Sequence, residues 1–206
     1  MQNLNNKEKN RALAIFDFDG TITTRDSFLD FLYFSAGPLK FSWNFIAISP
    51  AIFLYFLKII PNWKLKEKTL SQFFGGLPID DFSKMCKNYS DKRLDKIIRS
   101  EAIKKIKWHK ERGDEIIVAS ASLESWLGYW CGKNKLNLVA TIPEIIDGKI
   151  TGKLDSKNCY GEEKAKRIKS LYNLEDYADI YAYTDSKSDY PLLKLASFKY
   201  LKWRKI

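Results

Sequence analysis

The sequence predicts an α/β fold in which helices flank a parallel sheet, with a helical segment inserted into it. Three apolar runs have the length and composition of buried strands, and they cover residues 12–18, 115–119 and 179–184. Helical stretches alternate with these runs, at residues 122–134, 161–172 and 187–197, which is the order that builds a parallel sheet. The chain has 206 residues, enough for one compact domain with a large insertion.

The first predicted strand ends in two carboxylates. Asp17 and Asp19 follow the apolar residues 13–16 and lie two positions apart, so both can project to one side where the chain begins to turn. Gly20 permits that turn, and Thr21 offers a hydroxyl and an amide to an anion. Two carboxylates close together favour a bound cation or one raised pKa. The alternative is a plain polar turn, because Asp and Gly are also common turn residues.

Three later segments place reactive side chains at comparable positions. The second strand ends in Ser120, Lys164 lies near the start of a basic helical stretch, and the third strand runs into Asp185 and Asp189. Active sites in parallel sheets lie beyond the carboxyl ends of the strands, so we expect these groups to meet the first acid pair. Taken singly, Ser120 is equally typical of a turn, Lys164 of a solvated helix and Asp189 of a helix cap.

This order of acid pair, hydroxyl, lysine and acid pair resembles the four motifs of the haloacid dehalogenase (HAD) superfamily of phosphotransferases. The resemblance spans nearly the whole chain and implies a Rossmann-like HAD core with an all-helical C1-type cap. Residues 27–104 stand where the superfamily places the cap, and residues 1–26 and 105–206 would form the core.

The resemblance implies a phosphomonoesterase that works through an aspartyl-phosphate. Asp17 would attack the phosphorus, and Asp19 would protonate the leaving alkoxide and later accept a proton from water. The implied cofactor is Mg2+, held by the carboxylates of Asp17 and Asp185 and the backbone carbonyl of Asp19.

The remaining motif residues would bind the phosphate or support the metal. Thr21, Ser120 and Lys164 would contact phosphoryl oxygens, and the lysine would neutralise charge that otherwise repels a dianionic phosphate. Asp189 would steady the metal side or Lys164.

The predicted cap contains an apolar run over residues 41–60. It has the length of a bilayer span, about 20 residues, but it carries Asn44, Lys58 and a central Ser49 and Pro50 that should break a helix. We therefore expect two short helices rather than a transmembrane span. They would suit a membrane interface, with burial as the core of the cap as the alternative. The lysines that flank the run are Lys40, Lys64, Lys66 and Lys68.

Within the superfamily, the chain resembles the phosphoserine-phosphatase-like branch, subfamily IB, and in it the phosphatidylglycerophosphatase C type of bacterial enzyme. This resemblance rests on the apolar run and on residues 158–164 and 183–193. It implies a phospholipid substrate, phosphatidylglycerol phosphate, whose second phosphate Arg25 and Arg99 would contact at the two cap junctions. Hinge salt bridges are the alternative for both arginines, and a soluble phosphatase of small metabolites such as phosphoserine is the alternative function.

Composition bears on partners. The chain carries 35 basic and 25 acidic residues, a net charge of +10, which suits an anionic membrane surface or a nucleic acid. The basic residues are spread over several segments without an aromatic recognition motif, so we expect no nucleic-acid partner.

Cysteine usage and the N-terminus bear on location. Cys86, Cys131 and Cys159 lack a metal-ligand spacing, which is typical of reduced thiols in an intracellular protein. Residues 1–11 contain no apolar run, so we expect no secretory signal. These features predict a cytoplasmic protein, and the membrane interpretation places it peripherally on the cytoplasmic face of the inner membrane. The single histidine, His109, is expected on the surface.

Overall fold

The structure is a computed structural model that describes residues 11–206. Residues 1–10, on which most of the secretory-signal prediction rests, lie outside the described residues. The strands are β1 (Leu13–Asp17), β2 (Glu115–Leu123), β3 (Asn137–Thr141), β4 (Pro143–Ile146), β5 (Lys149–Leu154), β6 (Ile180–Thr184), β7 (Phe198–Leu201) and β8 (Arg204–Lys205).

A six-stranded sheet of order β3-β2-β1-β6-β7-β8 forms the centre of the protein. The first five strands of that order are parallel, and β8 is antiparallel at the edge. β4 and β5 pair with each other as a separate antiparallel hairpin. The predicted parallel sheet is therefore confirmed, and β1, which carries the first acid pair, lies in its middle.

Helices cover both faces of this sheet, as the α/β prediction requires. They are α1 (Ser27–Phe56), α2 (Asn62–Phe74), α3 (Ile79–Lys92), α4 (Ser100–Glu111), α5 (Glu124–Lys133), α6 (Glu162–Leu171) and α7 (Tyr190–Leu193). Alternate residues of β1 point to opposite faces, so Ala14 and Phe16 pack with α4 and α5 while Leu13 and Ile15 pack with α6 and α7. Two apolar cores hold the sheet in place.

The C-terminal segment differs from its prediction. The expected helix over residues 187–197 is wrong, because α7 ends at Leu193 and the chain then forms β7 and β8. Two cross-strand aromatic pairs favour the extra strand. Tyr181 stacks on Phe198 and Tyr183 on Tyr200, each with ring centroids 4.6 Å apart.

The helical insertion leaves and re-enters the core at adjacent points. The Thr24 amide donates to the Ile97 carbonyl at 2.7 Å, and the Arg99 amide donates to the Ile22 carbonyl at 2.8 Å. The helix α4 crosses the predicted boundary at 104–105 and packs against the core. The helices α1, α2 and α3 thus form the cap, and two closely spaced chain crossings join it to the core.

The hairpin of β4 and β5 is attached to the cap. The Gly76 amide donates to the Ile150 carbonyl at 2.8 Å, and the Ile150 amide donates back to Leu77 at 2.9 Å. A Cβ placed on Gly152 would lie 2.2 Å from the Ser71 hydroxyl oxygen, so a glycine is needed where β5 passes α2. The hairpin therefore packs against α2 and against the turn that follows it.

The apolar run forms one helical element rather than two short helices broken at its centre. The non-helical residue within α1 is Gly37, with φ 71°, and Pro38 starts the segment that follows it. Pro50 lies inside the helix. Its ring removes one backbone donor, but Ser49, Pro50 and Ile46 are exposed, so water can satisfy the freed carbonyl.

One side of α1 is both apolar and exposed. Leu39 is 87% exposed, Trp43 75% and Ile46 65%, and Phe53 lies on the same side. In the part of the chain that the structure describes, α1 is also the one helix whose length and composition would allow it to cross a membrane. The run is therefore not the buried core of the cap, because most of its large side chains meet solvent.

His109 is buried, so its predicted surface position is wrong. Its position on α4 follows Ala102 and Ile106 at helical spacing, and that face packs against the sheet. Its Nδ1 lies 2.7 Å from Asp114 Oδ2, and its Nε2 lies 3.0 Å from the Tyr183 hydroxyl. Burial lowers the pKa of His109, although the Asp114 carboxylate acts in the opposite direction.

We predict that His109 makes the protein less stable at mildly acidic pH. The unfolded histidine binds a proton near pH 6.5, whereas the folded one binds it only at a lower pH. Its contribution is therefore present above about pH 6.5 and is lost as the pH falls towards the folded pKa, by up to about 1.4 kcal/mol per pH unit. Urea unfolding between pH 7 and 5 measures this loss, and His109→Gln should remove it. An equal slope in both proteins would contradict the prediction.

Candidate active site

The motif residues meet at the carboxyl end of the sheet, around one buried lysine. Lys164 Nζ, from the first turn of α6, donates to Asp17 Oδ1 and to Asp189 Oδ2, each at 2.7 Å. All three side chains are buried. The second Asp17 oxygen accepts a hydrogen bond from the Thr21 hydroxyl at 3.0 Å, and Thr184 donates to Asp189 at 3.1 Å. The structure therefore brings together motif residues that the sequence predicted to meet.

Burial dominates the electrostatics of this cluster. It raises the pKa of Asp17 to about 7, while the Lys164 ammonium acts against the shift and Asp189 adds to it. Burial also disfavours the charge on Lys164, but the two adjacent carboxylates outweigh it and raise the pKa of the lysine. Lys164 therefore stays positively charged between Asp17 and Asp189, and its charge stabilises both carboxylates.

Asp19 lies beside this cluster and is held by two serine hydroxyls and one amide. Its Oδ2 accepts from Ser122 Oγ at 2.6 Å and from Ser120 Oγ at 3.3 Å, and its Oδ1 accepts from the Ser27 amide at 2.6 Å. The pairing of β2 with β3 shifts register between Ala119 and Leu123, which is where these serines lie. Sequence analysis missed Ser122, although a spacing of two from Ser120 is a signal for the same side of a strand.

The oxygens around Asp185 suit a hard divalent cation. Partial burial raises the pKa of Asp185. A Cβ on Gly20 would lie 2.2 Å from Asp185 Oδ2, so the backbone beside Asp19 abuts this carboxylate. The second oxygen of Asp189, Oδ1, is buried and has no hydrogen-bond partner among residues 11–206, so it could accept from a metal-bound water. Carboxylate, carbonyl and water oxygens are the ligands that Mg2+ prefers, so the residues present fit the predicted ion.

A cluster of three acidic, histidine or cysteine side chains suited to a metal is not found among residues 11–206. The predicted ligand set does not need one, because it combines two carboxylates, from Asp17 and Asp185, with a backbone carbonyl.

One cavity of about 380 Å³ joins these polar groups to the cap. The acids Asp17, Asp19, Asp185 and Asp189, together with Lys164, line it. The cap contributes the polar residues Asp26, Asn62, Lys66 and Thr69, and it contributes apolar side chains of α1 and α2, namely Phe28, Leu29, Phe45, Ile48, Ile52, Tyr55, Phe56 and Leu65. The site is therefore amphiphilic, because the motif charges share one cavity with aliphatic and aromatic side chains of the cap.

Residues 14–194 match the haloacid dehalogenase-like hydrolase family. The chain belongs to this family. It is 28% identical over 189 residues to Protein CicA of Caulobacter vibrioides, covering 91% of this chain and 84% of CicA. It is 29% identical over 191 residues to a probable phosphatase of Mycobacterium tuberculosis, covering 89% of this chain and 66% of that protein.

Solved structures of the HAD family share the fold. A phosphoserine phosphatase, in a structure of an analogue of its phospho-aspartyl intermediate, superposes with a TM-score of 0.62 at 23% identity. The superposition covers 93% of this chain and 86% of the phosphatase. With its family and the motif cluster, the chain is a HAD-type phosphatase, and its fold is the predicted Rossmann-like core with a helical cap.

Arg25 and Arg99 lie outside the lining of the cavity that joins the motif residues to the cap. Arg25 Nη1 lies 3.5 Å from Asp30 Oδ1, and the same carboxylate is bound by Arg93 Nη2 at 2.9 Å. Arg99 Nε donates to the Thr23 carbonyl at 2.9 Å. Arg25 thus makes the salt bridge of the hinge alternative, whereas the contact of Arg99 is a hydrogen bond to a backbone carbonyl. Contact of either arginine with a substrate phosphate stays a prediction.

Two cavity residues escaped the sequence analysis of site residues. Lys66 was expected on the membrane flank, but it is buried, and its Nζ donates to the Ala121 carbonyl at 2.5 Å and to Asn158 Oδ1 at 2.8 Å. Burial lowers its pKa to about 8, against the carboxylates of Asp19 and Asp26. Asp26 caps α1, and burial followed by the charge of Asp19 raises its pKa to about 6. The cap thus adds one cation and one acid to the site.

We predict that Lys164→Met destabilises the protein by roughly 3–5 kcal/mol, because it leaves Asp17 and Asp189 buried without their cation. Urea unfolding at pH 7.5 measures the loss, which should shrink at pH 5.5 as a carboxyl takes up a proton. Lys166→Met, on the exposed side of the same helix, is the control and should change stability by less than about 0.5 kcal/mol. Equal effects of the two substitutions would show that the buried lysine does not hold the cluster.

Proposed function

We propose that this HAD-type phosphatase removes the phosphate from a membrane phospholipid phosphomonoester, such as phosphatidylglycerol phosphate. The single observation that carries the proposal is the amphiphilic cavity, in which the motif acids and Lys164 share one space with the apolar side of α1. A phosphate group suits the charged end, and an acylglycerol suits the apolar walls. The sequence resemblance to the phosphatidylglycerophosphatase C type supports the same substrate.

In this proposal Asp17 is the nucleophile. Its two oxygens are oriented by Lys164 at 2.7 Å and Thr21 at 3.0 Å, and a carboxylate held in this way can attack the phosphorus. The bond from phosphorus to the lipid oxygen breaks as the bond to Asp17 forms, which gives an aspartyl-phosphate. Lys164 offsets the repulsion between the carboxylate and a dianionic phosphate, and Ser120 and Thr21 offer hydroxyls to the phosphoryl oxygens.

Asp19 is the proton donor and acceptor of the proposed reaction. It would give a proton to the departing alkoxide and then take one from the water that hydrolyses the aspartyl-phosphate. The Ser120 and Ser122 hydroxyls and the Ser27 amide fix its orientation beside Asp17. Because Ser27 is the first residue of α1, the position of the cap and the orientation of Asp19 are directly linked.

Asp17, Asp185 and the carbonyl of Asp19 would hold Mg2+ in the active enzyme. When bound, the ion would supply Lewis-acid stabilisation of charge on the phosphoryl group. Asp189 would support this arrangement through Lys164 and through its unpartnered Oδ1.

The outer side of α1 would contact the membrane. Leu39, Trp43, Ile46 and Phe53 are exposed there, and a monomer rarely exposes an apolar patch without a partner. Four exposed lysines lie on α1, just after it or on the next helix, α2, namely Lys40, Lys58, Lys64 and Lys68. With a net charge of +10, this surface suits the anionic cytoplasmic face of a bilayer, where each basic residue contributes about 1 kcal/mol.

A soluble phosphatase of small metabolites such as phosphoserine is the second candidate. The shared fold with a phosphoserine phosphatase favours it. The apolar walls of the cavity favour the lipid instead, because phosphoserine would leave them without contacts.

Phosphate release separates these two functions. We expect Mg2+-dependent release from phosphatidylglycerol phosphate in mixed micelles to be faster than release from phosphoserine at equal concentration. Asp17→Asn is the blank, because an amide is a poor nucleophile, and it should abolish release. Release from phosphoserine alone would refute the lipid proposal.

Membrane contact has a separate test. Sedimentation with phosphatidylglycerol vesicles should fall at least several-fold for the double variant Ile46→Ser and Phe53→Ser, because it removes apolar surface from the outer side of α1. Leu171→Ser removes an equally exposed apolar side chain from α6 and should sediment like the unaltered protein. Equal sedimentation of all three proteins would contradict docking through α1.

A further inference from the structure

We propose that the apolar part of the cavity is a groove that binds one hydrocarbon chain of the substrate. This hydrocarbon chain would leave the bilayer and lie along the side of α1 that faces the cavity. The inference rests on the proposed function, because it assumes that the phosphomonoester substrate is a lipid. The groove would let the protein select substrates with a hydrocarbon chain even in the absence of a membrane.

The first argument is that α1 presents two separate apolar sides. Cavity-lining residues recur at spacings of three and four, as Phe45, Ile48, Ile52 and Tyr55. The exposed apolar residues Leu39, Trp43, Ile46 and Phe53 repeat at their own spacings of four, three and seven. At 3.6 residues per turn, the two sets lie on nearly opposite sides of the helix. Contact with a membrane explains only the outer set.

The second argument is that the part of the cavity along α1 is lined mainly by apolar side chains. Ile48 is only 6% exposed, and Ile52 and Tyr55 are half-buried in the same lining. Leu65 of α2 is apolar, and the hydroxyl of Thr69 already donates to the Leu65 carbonyl at 2.8 Å. An apolar occupant would therefore bury the apolar surface of these side chains.

The third argument is polarity along the cavity. The lining includes the buried charges of Asp17, Lys164 and Lys66, and it also includes Phe56, the last residue of α1, which is largely exposed. A volume of about 380 Å³ lies within the range of small-molecule sites. An ionic head joined to a hydrocarbon tail matches this distribution, whereas a peptide would bring backbone groups that the apolar walls cannot pair.

Water-soluble monoalkyl phosphates test the groove without a membrane. We expect kcat/KM for the Mg2+-loaded protein to rise with each methylene from ethyl to octyl phosphate, below the concentration at which they form micelles. The rise should be about two- to fourfold per methylene and should level off once the groove is full.

Two isoleucines provide a matched pair of variants. Ile52→Trp fills the groove and should flatten the dependence on chain length. Ile103→Trp places the same side chain on the exposed side of α4, where Ile103 is 45% exposed, and should keep both the slope and the rate with ethyl phosphate. Circular dichroism confirms that both variants are folded.

Three results would overturn the groove. Rates independent of chain length in the unaltered protein would do so, as would equal flattening by Ile103→Trp or an unchanged slope in Ile52→Trp. Each of these would leave the proposed function standing if phosphatidylglycerol phosphate is still hydrolysed in micelles. Failure to hydrolyse that lipid would instead refute the proposed function, whatever the alkyl phosphates show.

Discussion

The ion pair that Lys164 makes with both Asp17 and Asp189 is the interaction on which the site depends. A buried charge is costly unless it is paired, so the end of β1, the start of α6 and the turn before α7 must meet within hydrogen-bond distance. The parallel sheet provides this meeting, since it brings the segments that follow its strands to one edge. The same arrangement holds the proposed nucleophile, Asp17, and the proposed phosphate-binding residue, Lys164, side by side.

Five carboxylates and two lysines line the cavity, and this imbalance gives the site its chemistry. The surplus of negative charge, together with burial, explains why the pKa values of Asp17, Asp26 and Asp185 are all raised. A divalent cation would relieve that surplus and would allow a dianionic phosphate to approach. The oxygen-rich surroundings of Asp185 and the unpartnered oxygen of Asp189 are consistent with this account.

Much of this was predictable from sequence because most motif residues stand at or just beyond the ends of strands, or at the start of a helix. Ser120 is the exception, because β2 does not end there but continues to Leu123. Local patterns fix those positions, so Asp17, Ser120, Lys164 and Asp189 could be placed together without coordinates. Lys66 could not, because its burial arises when the cap folds over the core.

The errors at His109 and at the centre of α1 have the same origin. His109 lies in a basic stretch, and only the packing of α4 against the sheet shows that it is buried. Pro50 is tolerated because solvent reaches that side of the helix. The sequence also could not say which of the two apolar sides of α1 faces the cavity, because both repeat at helical spacing.

In the proposed reaction, the phosphoryl group of a lipid is transferred to Asp17 within this cavity before water releases it. Acid-quench labelling with phosphatidylglycerol phosphate carrying a radioactive phosphomonoester tests it most directly. We predict a transient, hydroxylamine-sensitive label that mass spectrometry locates on Asp17 and that Asp17→Asn lacks. Release of phosphate from the lipid without any label on the protein, or a label obtained from phosphoserine but not from the lipid, would contradict the account.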